Sequence, residues 1–113
     1  MHELSLAEGI LQLIETAQAQ DCFEQVTRVR IEVGRLAGVE IDALRFAFDA
    51  VIAHSCADGA QLEIVETPGR GRCQGCGREV AIESHHEPCP LCGTPRVEAI
   101  GGMQLRVIDL EVC

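Results

Sequence analysis

A chain of 113 residues with 47% hydrophobic and 24% charged residues fits one compact soluble unit and is too short for two ordinary domains. Eighteen acidic residues face nine basic ones, all nine arginine, for a formal net charge of -9, which argues against a bulk nucleic-acid binder. Three phenylalanines without Trp or Tyr leave no stacking platforms for single strands. No run approaches the roughly 18 apolar residues of a membrane span, and the start Met1-His2-Glu3-Leu4 lacks the positive n-region of a secretory signal. A cytoplasmic protein with no membrane and no nucleic-acid partner is expected.

In chain order, Leu6, Ile10, Leu13, Ile14 and Ala17 recur at three- and four-residue steps, as in a helix that buries one face. Ser5 and Glu8 read as a capping box, which predicts a helix start near Ser5 with residues 1 to 4 outside it. Val26 to Val33 alternates with period two and predicts a half-buried strand ended by Gly34. Asp42 to Ala53 places Leu44, Phe48, Val51 and Ile52 on one face with Phe46 at its edge, a second helix. Gln61 to Thr67 and Gln104 to Val112 are predicted strands. Between these two lies a cysteine-rich stretch flanked by Pro68-Gly69-Arg70-Gly71 and Gly101-Gly102, where glycine suggests hinges.

Charge divides with this pattern. Residues 1 to 67 carry 12 acids against four arginines, whereas residues 68 to 102 carry four of each. The expected fold is α+β, with two helices, a small sheet of about three strands and an inserted zinc-ribbon-like module. Residues 1–67 with 103–113 would form the body and residues 68–102 the module.

Seven cysteines are an odd number, and four of them fall into two tight pairs, which favours metal binding over disulfides. Cys73-Gln74-Gly75-Cys76 and Cys89-Pro90-Leu91-Cys92 are CxxC pairs separated by 12 residues, a little closer than is usual for zinc ribbons. Gly77 and Gly93 follow the pairs, where a left-handed backbone would let amides approach the thiolates. Four thiolates fill the tetrahedral shell of Zn²⁺ and leave no position for substrate, so the expected role of Cys73, Cys76, Cys89 and Cys92 is structural. A thioredoxin-like redox role fits worse, because such proteins use one CxxC and not two matched ones. His85 and His86 lie between the pairs and could replace a thiolate or form a second site; we read them as a solvated loop. Cys22 and Cys56 read as ordinary small or surface residues and Cys113 as a frayed terminal thiol.

His2 gains interest from its position. A histidine beside a free α-amine offers that amine, its own imidazole and the intervening backbone nitrogen as fused chelate rings, and the amide of Glu3 can close a four-nitrogen plane suited to Ni²⁺ or Cu²⁺. This requires Met1 to be retained and unmodified. The competing reading is a mobile chain end.

The opening Met1-His2-Glu3, Val33-Gly34 and Val39-Glu40 ahead of Leu44-Arg45-Phe46-Ala47-Phe48, the two CxxC pairs and Gly102 before the last strand together resemble the HypA/HybF family, nickel metallochaperones of hydrogenase maturation. The resemblance covers nearly the whole chain. It implies nickel as transient cargo at Met1, His2 and Glu3, and structural zinc at the four cysteines. It also implies Glu3 and Glu40 carboxylates near the nickel, a P-loop GTPase nickel-insertion partner, and delivery to the [NiFe]-hydrogenase large subunit. A homodimer stays open. The chain has no Walker motif, nucleophile elbow or Ser/His/Asp arrangement, so no enzyme activity is expected. The rival readings are a zinc-ribbon adaptor or nucleic-acid-binding module with no nickel role, and a thiol oxidoreductase.

Overall fold

The structure is a computed structural model that describes residues 2–113. In chain order it comprises helix α1 (His2–Asp21), strand β1 (Val26–Gly34), a 3-10 turn (Arg35–Ala37), helix α2 (Ile41–Val51) and strands β2 (Gln61–Thr67), β3 (Gly69–Cys73), β4 (Glu79–Ile82), β5 (Val97–Gly101) and β6 (Leu105–Val112). The strands form two three-stranded sheets, ordered β2-β1-β6 and β4-β3-β5. The α+β class with two helices is the expected one, and the first sheet is built from the three predicted strands, of which only β1 follows period two cleanly. The second sheet comes from the inserted segment. No helix among the described residues is long and apolar enough to cross a membrane.

The chain packs as two compact units. The first comprises the described residues up to Ile31 together with Val39–Ile64 and Val107–Cys113, and the second Glu32–Gly38 with Val65–Arg106. In the first unit α1 and α2 pack together and bury Ala7, Ile10 and Ile14 from one and Leu44, Ala47 and Phe48 from the other. β1 adds Val26, Val29 and Ile31, each fully buried. Each Val, Leu, Ile or Phe among these contributes about 1.5–3 kcal/mol on leaving water. The helical period selected the right face of α2, which ends where Ile52 N–H closes on Phe48 O at 3.0 Å; on α1 it holds at Ile10 and Ile14, whereas Leu13, expected on the same face, is 58% exposed, and Leu6 and Ala17 are half-buried. Phe46, expected at the edge of that face, points outward and is 79% exposed.

The start of α1 departs from expectation. His2, Glu3 and Leu4 are helical, and Ser5 lies inside the helix, where no capping box forms. The reason is a tertiary contact: Glu3 Oε2 accepts the backbone N–H of Glu40, the residue that precedes α2, at 3.2 Å. An acid in the first turn also sits favourably at the positive end of the helix dipole. Together these extend the helix by three residues beyond the local signal.

The second unit corrects the hinge reading of Gly69 and Gly71. Both are strand residues, alternating with Arg70 and Arg72 in a buried-exposed pattern that ends in buried Cys73. They are small because the packing is close: a Cβ at Gly69 would stand 2.3 Å from Ile82 O, and one at Gly71 2.5 Å from Val97 Cγ1. β3 pairs antiparallel with β4, Gly69 opposite Ile82 and Arg72 opposite Glu79. It pairs antiparallel with β5 as well, Cys73 opposite Val97. Leu36, Val80 and Ile82 form a small core with Cys73 and Cys89.

Cys113 is not frayed, since its carbonyl accepts the N–H groups of Glu24 and Gln25 and its N–H reaches Gln25 O at 2.9 Å. Cys22 follows α1 with φ 56° while its N–H bonds Gln18 O at 2.9 Å, a left-handed helix terminus normally given to glycine. Cys22→Gly is therefore expected to stabilise the protein by about 1 kcal/mol. Gly102→Ala, at φ 76° with a Cβ 2.4 Å from Pro68 O, is expected to cost about 2 kcal/mol or more. Urea unfolding of both variants checks the opposite signs.

Candidate metal centre

The four cysteines converge. Their sulfurs all lie within 4.8 Å of one another, with Cys73 to Cys92 at 3.4 Å and Cys76 to Cys89 at 4.0 Å. Four sulfurs around a zinc ion at about 2.3 Å each would stand about 3.8 Å apart, so the cluster has the size the ion needs. No other group of three or more His, Cys, Asp or Glu side chains among the described residues meets that proximity.

Two matching turns build the cluster. In the first, Cys73 ends β3, Gly77 N–H bonds Cys73 O at 2.9 Å and Gly77 has φ 75°. In the second, Gly93 N–H bonds Cys89 O at 2.8 Å with φ 79°. The glycines following each pair thus adopt the left-handed conformation expected of them. The amides that reach sulfur lie inside the turns: Cys76 and Gly75 N–H donate to Cys73 Sγ at 3.2 and 3.3 Å, and Leu91 N–H to Cys89 Sγ at 3.4 Å. Cys89 N–H bonds Thr94 O and Gln74 N–H bonds Arg96 O, at 2.9 and 2.8 Å. Each turn is closed by backbone bonds independent of any ion.

The sulfurs divide by charge preference. The Cys76 N–H favours the Cys73 thiolate most strongly, and the Cys92 thiol and Gly75 N–H add to it; against opposing burial, Cys73 is lowered to about 6. At Cys92 the Thr94 N–H also favours a thiolate, yet the Cys73 sulfur, burial, and Cys89 and Cys76 together outweigh it and push Cys92 up to about 11. One negative sulfur is welcome in this space and a second is not, unless a cation offsets it. The donor set fits a structural Zn²⁺.

His85 does not join the cluster. Its Nε2 lies 2.9 Å from the carbonyl oxygen of Leu36, which only accepts, so Nε2 carries the proton. This tether of a loop histidine to the 3-10 turn has no signal in the sequence pattern.

At the start of α1, His2 Nδ1 stands 3.4 Å from Glu3 Oε2, the histidine side chain 54% exposed and the glutamate 14%. Glu3 is thus brought between His2 and the backbone of Glu40. Met1, the remaining predicted nickel residue, lies outside the described residues. The Glu40 N–H is the largest influence on Glu3 and holds its carboxyl below the usual range against some burial, with His2 a smaller contribution in the same direction.

These features define a small two-unit α+β protein with a zinc-ribbon-like four-cysteine cluster. The family model described as hydrogenase/urease nickel incorporation, metallochaperone, HypA, matches residues 1–112, and the chain belongs to this family of hydrogenase maturation. It is 52% identical over 112 residues to the hydrogenase maturation factor HypA of Alkalilimnicola ehrlichii and 50% identical to that of Rhodobacter capsulatus, with 99% of each chain covered. Its fold is similar to the solution structure of the nickel metallochaperone HypA from Helicobacter pylori, with a TM-score of 0.68, 20% identity and 97% and 96% of the two chains covered. A second HypA solution structure has a TM-score of 0.69 at 23% identity, covering 100% and 97%.

A carboxyl lowered in the folded state contributes stability that is present above its ordinary pKa and lost as pH falls through the folded value. The Glu3 to Glu40 contact is therefore expected to open on acidification below the usual carboxylate range. The Glu40 amide resonance should shift with that titration, and Glu3→Gln should abolish the shift.

Proposed function

We propose that this chain is a cytoplasmic nickel carrier, not an enzyme, that holds Ni²⁺ at its amino end and passes it to the [NiFe]-hydrogenase large subunit together with a P-loop GTPase. The ligands are the Met1 amine, the His2 imidazole and backbone nitrogen, and the Glu3 backbone nitrogen. The body, residues 1–67 with 103–113, carries the cargo, and residues 68–102 carry zinc on Cys73, Cys76, Cys89 and Cys92. Bound zinc supplies a cross-link that neutralises the thiolates and fixes the two cysteine turns together.

The observation that carries the nickel reading is the setting of His2 at the first turn of α1. The first four N–H groups of a helix have no intrahelical acceptor, so binding a metal through the His2 and Glu3 amides breaks no helical hydrogen bond. Nitrogen donors in a plane suit Ni²⁺. The exposed imidazole keeps the site open to exchange, which delivery requires. Because metal displaces protons from the amine, amides and ring, falling pH releases it. The sequence holds no Walker motif, and on this reading nucleotide turnover belongs to the GTPase.

Nickel titration of the full chain, of His2→Ala and of a form extended by residues before Met1 tests this reading. Both altered proteins are expected to lose more than about 100-fold in nickel affinity, beyond what outer-shell changes cost, while zinc content stays at one ion per chain. Equal nickel uptake by all three would defeat the amino-terminal site. Cys89→Ala is expected to abolish zinc retention and to expose the β3 and β4 amides to hydrogen exchange, whereas retained zinc would move the ion elsewhere.

A further inference from the structure

β6 is an edge strand, since the first sheet runs β2-β1-β6. Cys113, just past its end, exchanges both backbone bonds with Gln25: its N–H reaches Gln25 O at 2.9 Å and its carbonyl accepts Gln25 N–H at 3.3 Å. Backbone groups alternate in direction along a strand, so the N–H and carbonyl of Val112 and of Leu110 turn away from β1, toward the side where no described strand lies. The other edge differs. On β2, Arg45 of α2 already occupies the Leu62 carbonyl at 2.7 Å, whereas no side chain among the described residues reaches the backbone of Leu110 or Val112.

The two faces of β6 differ in chemistry. On one, Leu110 and Val112 line a hollow of about 450 Å³ together with Ala17, Asp21 and Phe23, large enough for the side chains of a ligand. Val112 is 45% exposed there. On the other face, Asp109 and Glu111 are half-exposed, and with Glu63 they share only two arginines, Arg28 and Arg30. Asp21 at the rim of the hollow, and Glu24, whose N–H holds Cys113 O, have no ion pair among the described residues. The neighbouring α1 offers no basic residue to either.

We propose that this edge binds an extended segment of another protein that alternates apolar and basic residues and adds to β6 as the next strand of the sheet. Its backbone pairs with the outward groups of Leu110 and Val112, its apolar side chains enter the hollow, and its basic side chains stand over Asp109 and Glu111. Main-chain bonds give such a contact its hold and alternate side-chain seats its selectivity, while opposite charges facing each other across a strand pair add to both. Charge also disfavours the alternatives. A second β6 would set Asp109 and Glu111 against acids of the same kind, and an acidic segment would approach a chain of net charge -9, which repels it.

Titration of dye-labelled peptides with the zinc-loaded, nickel-free full chain tests the proposal. A peptide alternating Lys and Val over 8 residues, the length of β6, is expected to bind at least about tenfold more tightly than one alternating Lys and Ser, which has the same charge but nothing for the hollow, and than one alternating Glu and Val. It should also slow hydrogen exchange at the Leu110 and Val112 amides. Val112→Pro removes one outward donor and leaves the bonds to β1 in place, and Ala17→Leu fills the hollow. Each should weaken the Lys–Val peptide by about tenfold with an unchanged far-UV circular dichroism spectrum. Equal affinity for the Lys–Val and Lys–Ser peptides would reduce the contact to bulk charge and overturn the proposal. Preference for the Glu–Val peptide, binding that neither substitution weakens, or no binding of the Lys–Val peptide would overturn it as well.

Discussion

Four sulfurs crowded within 4.8 Å cannot all be negative without a cation between them, and the second unit is organised around that constraint. Its apolar core is Leu36, Val80 and Ile82 with two of the cysteines themselves, too little to order a 3-stranded sheet against the chain entropy of its loops. The amides aimed at Cys73 and Cys89 partly prepare the cluster for charge, but Cys92 is driven in the opposite direction. A divalent ion resolves the conflict by making every thiolate favourable at once. The same convergence explains the glycines of β3: with Cys73 fixed at the strand end, Gly69 and Gly71 must let Ile82 and Val97 come close enough to shield it.

The first unit rests on ordinary hydrophobic burial, and that part of the fold was readable. Period 3.6 identified the buried face of α2 and, on α1, Ile10 and Ile14 though not Leu13, and period two identified β1, because each of these elements has a wet side and a dry one. β3 to β5 were missed for a physical reason. Their dry positions are filled by glycine and cysteine as much as by Val80 and Ile82, so no hydrophobic alternation marks them, and glycine in sequence reads as freedom where the fold uses it as absence of bulk. The start of α1 was misplaced because Ser5 and Glu8 form a sound local capping signal, whereas the deciding partner, the Glu40 N–H, lies 37 residues away. The cysteine cluster was fully legible from spacing. The Glu3 bridge and the His85 tether to Leu36 were not, since backbone acceptors and donors leave no trace in side-chain pattern.

Arginine is the only basic residue, and the first sheet shows one use for it. Arg28 on central β1 reaches Glu63 on β2 at 3.1 Å and Glu111 on β6 at 3.3 Å, and Arg30 pairs with Asp109 through Nε at 3.2 Å. A forked guanidinium can bridge two carboxylates, which a lysine ammonium does less well. These pairs are half-exposed, so solvent screening leaves each of them little effect on stability. Their larger effect is on specificity: charged side chains along both edge strands discourage edge-to-edge aggregation. α1 has no basic residue at all, which concentrates the unbalanced negative charge on the helices.

On the proposed reading, the protein must keep one metal and give up another, and affinity order alone does not sort them. Nickel and zinc both bind nitrogen and sulfur donors tightly, so separation has to come from geometry and access. The cysteine cage brings four sulfurs within 4.8 Å, two of them on buried Cys73 and Cys89 and two on exposed Cys76 and Cys92, an all-thiolate set that suits an ion with no geometric preference of its own. On the same reading the amino end would offer nitrogen donors around one histidine that is 54% exposed, on a helix turn whose amides lack intrahelical acceptors. A planar nitrogen set suits nickel and excludes the tetrahedral preference of a thiolate-bound ion. Retention and release thus follow from two donor sets that differ in hardness, shape and burial, with no moving part required to tell the two ions apart.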